Sequence, residues 1–206
     1  MVVTGKINKI SVLFIIMGIL YSTVLTIGII TRYPDTNNII NEIMYLMGFL
    51  TIISAFVVMA FVNEIYKAFG KNYGYSKFLN RIAIMFLVVI TTIVHFLHIF
   101  FNNKKIGNEN FEIILTLEWP SFLLLLDIIA WNFFFGLGIL ILDFFLVNKI
   151  IFKSAGIIFI ISGILSIIGL VSIPLNNMDL RFIGIIGYTI LPVIGAICIK
   201  IKINSM

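Results

Sequence analysis

The sequence predicts an all-α polytopic membrane protein: one domain of six transmembrane helices, with the N-terminus and C-terminus both cytoplasmic. Three observations predict it. The 206 residues are 61% hydrophobic and 11% charged, whereas a soluble domain runs nearer half apolar and a quarter charged. Apolar runs long enough to cross about 30 Å of hydrocarbon, which takes about 20 residues, occur six times. The 14 Lys and Arg residues lie mostly between those runs and favour one side.

The runs fall near 10–30, 43–62, 82–101, 119–146, 155–175 and 182–199. The first follows Lys6 and Lys9 as a signal peptide would, but it is too long, and TIGIITRYP has no small-residue cleavage site, so a retained helix is expected. The fourth run is the longest and must tilt, kink or protrude. Orientation follows the basic residues. Lys6, Lys9, Lys67, Lys71, Lys77, Arg81, Lys149, Lys153, Lys200 and Lys202 share one side, and Arg32, Lys104, Lys105 and Arg181 the other. The richer side is cytoplasmic, which makes this a multi-pass protein of the plasma membrane. The positive charge is explained by topology, and no nucleic-acid partner is expected.

Between the runs, NEIYKAFGKNYGYSKFLNR mixes aromatic and basic residues, a composition suited to anionic lipid or to docking a soluble partner. The segment 102–118 alternates acids with Phe111, Ile113 and Leu115, so it either lies along the outer membrane surface or begins the fourth helix early.

Polar residues inside the runs carry the functional expectations. An ionisable group at mid-membrane costs about 2.5 to 3.5 kcal/mol on insertion scales, so it faces protein or water. Asp127 stands eight residues past Trp119, about 12 Å along a helix at 1.5 Å per residue. At about 100° per residue it shares a face with Pro120, Leu123, Ala130, Trp131 and Gly138. Ala130 and Gly138 admit a neighbouring helix there. The opposite face carries Asn132, Gly136, Ile139 and Asp143, so the fourth helix is expected at the centre of the bundle. Asp143, near the cytoplasmic end, is expected to snorkel or to pair with Lys149.

His95 and His98 are the only histidines, and their i, i+3 spacing puts them on one helical face in the outer half of the third run. Three chemistries fit a cluster of His95, His98 and Asp127: a hydrogen-bonded helix contact, a proton relay or solute site, and a divalent metal held by two imidazoles and a carboxylate. Trp131, one turn from Asp127, can offer its indole N–H or simply pack. Tyr188 can supply a hydroxyl, and Asn132 a solute contact. Pro120 suits the first turn of the fourth helix. Pro192, between Gly187 and Gly195, should kink the sixth. Arg181 is expected to reach Glu118 or Asp179, and not Asp127.

No cofactor is expected. The chain has no Walker A sequence and no serine-nucleophile turn. Two histidines on one helix face cannot clamp a haem from both sides. Cys198, the only cysteine, excludes an internal disulfide and any multi-cysteine metal site.

The stretch LEWPSFLLLLDIIAWNFFFGLGILILDFF, with the following Gly-rich hairpin and NNMDLRFIGIIGYTILP, resembles a group of small six-span bacterial integral membrane proteins of unknown function. The resemblance covers roughly 118–192. It implies the six-span topology and a characteristic pattern of Trp119, Asp127, Trp131, Gly136, Asp179, Arg181 and Gly187, with no catalytic residues and no cofactor. Function is therefore expected to be a small-solute or proton-linked carrier or channel-like protein with a polar interior around Asp127. The alternatives are a membrane assembly or regulatory protein whose polar residues are structural, and a metal-dependent membrane enzyme. The expected partners are the lipid bilayer and a proton or small solute; oligomeric state is left open.

Overall fold

The computed structural model describes residues 2–31, 37–69, 74–101, 117, 119–147 and 152–205. The described elements are helical, and six spans are long and apolar enough to cross a membrane. The first three spans are unbroken: α1 (Val2–Thr31), α2 (Asn37–Phe69) and α3 (Gly74–Phe101). The other three each depart from α geometry. Span four joins α4 (Phe122–Ile128), a π-helical segment (Ile129–Phe135) and α5 (Gly136–Leu146). Span five is α6 (Lys153–Ile168), tightened at its end into a 3-10 turn, Gly169–Ser172. Span six opens with the 3-10 turn Met178–Leu180, runs as α7 (Arg181–Tyr188), breaks at Thr189, and resumes as α8 (Ile190–Asn204).

Local chemistry explains most of these boundaries. Ser121 caps α4 by accepting from the Leu124 N–H at 3.1 Å, leaving one donor fewer unpaired at the helix start. Pro120 therefore lies outside the helix, not in its first turn. The break in span six comes just before Pro192. That residue offers no N–H to the Tyr188 carbonyl and its ring crowds the same oxygen, while the Thr189 hydroxyl donates back to the Ile185 carbonyl at 2.6 Å. Between spans five and six the chain turns through Asn176, at φ 47°, a left-handed conformation that asparagine tolerates. The expected loop 63–81 is mostly helix, because α2 carries on through Glu64 and Lys67, which pair at i, i+3. The amphipathic reading of 102–118 falls outside the described residues, apart from Leu117.

Each span packs against its neighbours in sequence, and the ring closes where α1 meets α8. Aromatic side chains fill the axis. Phe14 stacks on Phe61 at 4.6 Å between centroids, Phe61 meets Phe159 edge-on at 6.3 Å, and Trp131 lies 5.8 Å from Phe135 and 5.5 Å from Tyr188. Outward, Leu46, Phe49, Ile53 and Phe56 form an exposed apolar stripe along α2; a stripe of that kind suits lipid, not water. Lipid is as apolar as these side chains, so close packing holds the spans together where burial from water does not.

Glycines provide that closeness. A Cβ on Gly136 would stand 3.0 Å from the Gly163 carbonyl, and one on Gly163 would stand 2.9 Å from the Gly136 carbonyl, so spans four and five touch backbone to backbone. Gly187 lies equally close to Ser166, and the Ser162 hydroxyl donates to the Gly187 carbonyl at 2.6 Å. Gly138 admits Ile84 of α3, and the Asn80 amide donates to the Gly138 carbonyl. Span four is accordingly the most enclosed, with 56% of its apolar window buried against 11% for span one. Its expected central place holds.

Two spaces remain. A groove of about 440 Å³ runs between α1 and α8, lined by Gly18, Ile19, Ser22, Thr23, Ile190 and Val193 among others. A cavity of about 30 Å³ is lined by Phe14, Tyr21, Ser54, Trp131, Tyr188 and Val193 among others. Gly18 and Val193 border both spaces, and a Val193 methyl occupies the place a Cβ on Gly18 would take.

Candidate functional site

Asp127 ends the last full turn of α4 and is 7% exposed. One carboxylate oxygen, Oδ1, accepts from His95 Nε2 at 3.2 Å; the other, Oδ2, accepts from Arg181 Nη2 at 2.7 Å. One side chain thus ties spans three, four and six. His95 arrives there because Thr91, Val94, His95 and His98 form the buried face of α3, at the i, i+3, i+4, i+7 spacing of a helical stripe. Gly48 of α2 flanks the other side of the imidazole: a Cβ on it would be 3.6 Å from His95 Nδ1. Arg181 is the first residue of α7, and its side chain points back into the bundle with 21% exposure.

The expectation for Arg181 is overturned. Asp179 and Glu118 were its expected partners, yet its guanidinium bonds Asp127; Glu118 lies outside the described residues. A carboxylate in low dielectric is a far stronger attractor than one in water, and the long arginine stem can lie along apolar surface while delivering its charge.

Around this centre the remaining polar residues take distinct places. Tyr188 closes α7, with its hydroxyl a hydrogen-bond neighbour of Arg181 and its ring against Trp131. Tyr21 of α1 also stacks on Trp131, at 6.4 Å between centroids, its hydroxyl neighbouring that of Thr51. Trp131 Nε1 is buried without an acceptor among the described residues and borders the small cavity; it does not bond Asp127. His98 is buried one turn beyond His95, while the partners of the carboxylate are His95 and Arg181. Among the described residues no group of three His, Cys, Asp or Glu side chains is arranged to hold a metal ion.

Asn132 lies toward span five, the side that Gly136 and Asp143 also face through Gly163 and Gly156, whereas Asp127 and Gly138 face α3. Asp127, Trp131 and Asn132 are all interior, in a span that turns π-helical two residues after Asp127. The Asn132 carboxamide fits where Gly169 and Gly184 lack side chains, in contact with both, and neither of its polar atoms has a partner among the described residues. Asp143 is 3% exposed and so does not snorkel; the expected pairing with Lys149 falls outside the described residues.

Sequence reasoning missed Arg181, Tyr21, Gly48, Gly169 and Gly184 as site-forming residues. A signal for two of them exists. Arg181, Gly184 and Gly187 recur every three residues in RFIGIIGY, and a glycine-marked face is the one a neighbouring helix approaches, so an arginine on it points inward. No family model, curated protein or solved structure matches the chain. Within the pattern implied by the resemblance, Asp127 pairs with Arg181, Trp131 lies beside that pair, and Trp119 donates from its indole to Asn176.

Proposed function

We propose that this is a plasma-membrane carrier or channel-like protein, proton-linked or moving a small solute. Both termini are cytoplasmic, and its working centre is Asp127 with His95, His98, Arg181, Trp131, Asn132 and Tyr188. One observation carries the reading: an ion pair lies inside the spans where span four turns π-helical and spans five and six meet at their ends. The π segment of span four, the 3-10 end of span five and the start of span six meet around Asn132, Gly169 and Gly184. Interrupted helices at membrane depth are tolerated where backbone is buried in protein or lines a cavity, and transporter sites are built from them. The pairing supplies a two-state element: protonating or displacing one member releases Arg181 from Asp127. The partners on this reading are the bilayer and a proton or small solute, with no role for nucleic acid.

The test uses the full chain in proteoliposomes loaded with a pH-sensitive dye, under an imposed potassium-valinomycin potential. Proton flux above protein-free vesicles, lost in Asp127→Asn, supports the proton-linked form. A small-anion and a small-cation uptake panel tests the solute form. If neither flux nor uptake exceeds the control, the carrier reading falls.

A second reading is favoured by the completeness of the pairing. Both oxygens of Asp127 are occupied by protein groups, as they would be in an assembly or regulatory protein that uses the pair as a clasp. It predicts that Asp127→Asn lowers stability in detergent with no transport phenotype.

A further inference from the structure

Span four carries a second carboxyl, Asp143, sixteen residues beyond Asp127 and therefore about 24 Å further along at 1.5 Å per residue. The two groups are placed in opposite surroundings. Asp127 has two cationic or N–H donors. Asp143 is 3% exposed, and its Oδ1 has no hydrogen-bond partner among the described residues. What faces that oxygen is Gly156 of α6, whose Cβ, if present, would stand 3.0 Å away.

Among the described residues, the polar and charged groups on the packed elements are engaged elsewhere or lie at helix ends. From α2, the Tyr66 hydroxyl shares a hydrogen bond with Ser76 and donates to the Ile141 carbonyl, and Lys67 pairs with Glu64. From α3, Asn80 donates to the Gly138 carbonyl and Arg81 to Asn63, while Lys77 lies partly exposed in the first turn. From α6, Lys153 is exposed at the first position. Ile139, Leu142 and Leu146 within a turn of the acid on its own span, and Phe152 and Ala155 within a turn of Gly156, are buried and apolar. An isolated carboxylate in such a medium is strongly disfavoured, and the group takes a proton instead.

We infer that Asp143 is a proton-binding site, a carboxyl held in its neutral form between spans four and five near the end of the bundle opposite the Asp127 centre. Its ligand is a proton taken from water at that end, –COO⁻ plus H⁺ giving –COOH, with no other reactant. Span four then holds one ionised and one neutral carboxyl. Such a site is independent of transport and stands if the protein moves nothing.

Infrared difference spectroscopy of the full chain in proteoliposomes, swept upward from neutral pH, tests it. The expected result is a protonated-carboxyl carbonyl band at neutral pH that fades as pH rises. The band is lost in Asp143→Asn and kept in Asp127→Asn and Asp143→Glu. Its absence from the wild type, or its survival in Asp143→Asn, overturns the inference. Should Asp143→Asn not fold, treating the wild type with dicyclohexylcarbodiimide, which adds to protonated carboxyls, supplies the assignment. Peptide mapping should then place the adduct on Asp143, and an adduct on other carboxyls alone overturns the site.

Discussion

Arg181 and Asp127, 54 residues apart in sequence, meet through a 2.7 Å contact between Nη2 and Oδ2 inside the spans. The pair joins the first turn of α7 to the last turn of α4, and the carboxylate ties spans three, four and six together. Desolvation of the two ions offsets much of their attraction, so the contact contributes to holding one arrangement of spans more than to net stability.

Removing one partner leaves the other charge buried. Asp127→Asn is expected to destabilise the protein by about 3 kcal/mol, the lower end for a broken buried pair, because Arg181 keeps 21% of its side chain exposed. Arg181→Met should cost about as much. The double variant should cost clearly less than the sum, since neither charge is then stranded. Denaturation in mild detergent, followed by fluorescence of Trp119 and Trp131, measures all three. Additive losses would show that the pair does not couple.

The π-helical segment makes a sharper prediction. Deleting Phe133, which is 40% exposed, removes the extra residue and lets Ile129–Phe135 relax toward α geometry. The α turns on either side of a π segment keep their register when its extra residue is removed, so Asp127 should still meet Arg181. Asp127→Asn should then cost as much in the deletion background as in the wild type. A clearly smaller cost there would show that the π segment sets the position of the acid.

At Gly184 an added methyl would collide with the Asn132 carboxamide and lie 3.1 Å from the Gly169 Cα, which is backbone and cannot yield. Gly184→Ala is expected to cost about 1 to 3 kcal/mol by overpacking. Gly5→Ala and Gly74→Ala, with nothing within 4 Å, should be nearly neutral. Asn132→Ala in the Gly184→Ala background should recover part of the loss. Thermal unfolding of the four variants side by side gives the comparison.

Pro192→Ala restores an N–H able to reach the Tyr188 carbonyl and removes the ring that crowds it. Span six should become more continuous across Thr189, which hydrogen exchange would register as slower exchange over residues 189–193. Unchanged exchange there would assign the break to Thr189 and its 2.6 Å bond to Ile185 instead.

The six spans and the central place of span four were legible because apolar run length and small-residue placement survive in any helical packing. Similar depth made a meeting of His95 with Asp127 possible and left open whether it occurs. The pairing of Arg181 was not, because orientation rules treat a basic residue at a helix end as facing the interface, and its inward direction depends on which face Gly184 and Gly187 give to span five. The π-helical segment of span four was hidden for a different reason. A steady 100° per residue cannot anticipate a segment that closes five residues on, and IAWNFFF carries no proline or glycine to announce it.

The contact of Val193 with Gly18 has its own consequence. Those two residues border both the groove along α1 and α8 and the small aromatic cavity beside Tyr188 and Trp131, so the two spaces share one contact between helices. An approach to Tyr21, Trp131 and Tyr188 from that flank of the bundle passes Val193 and Gly18.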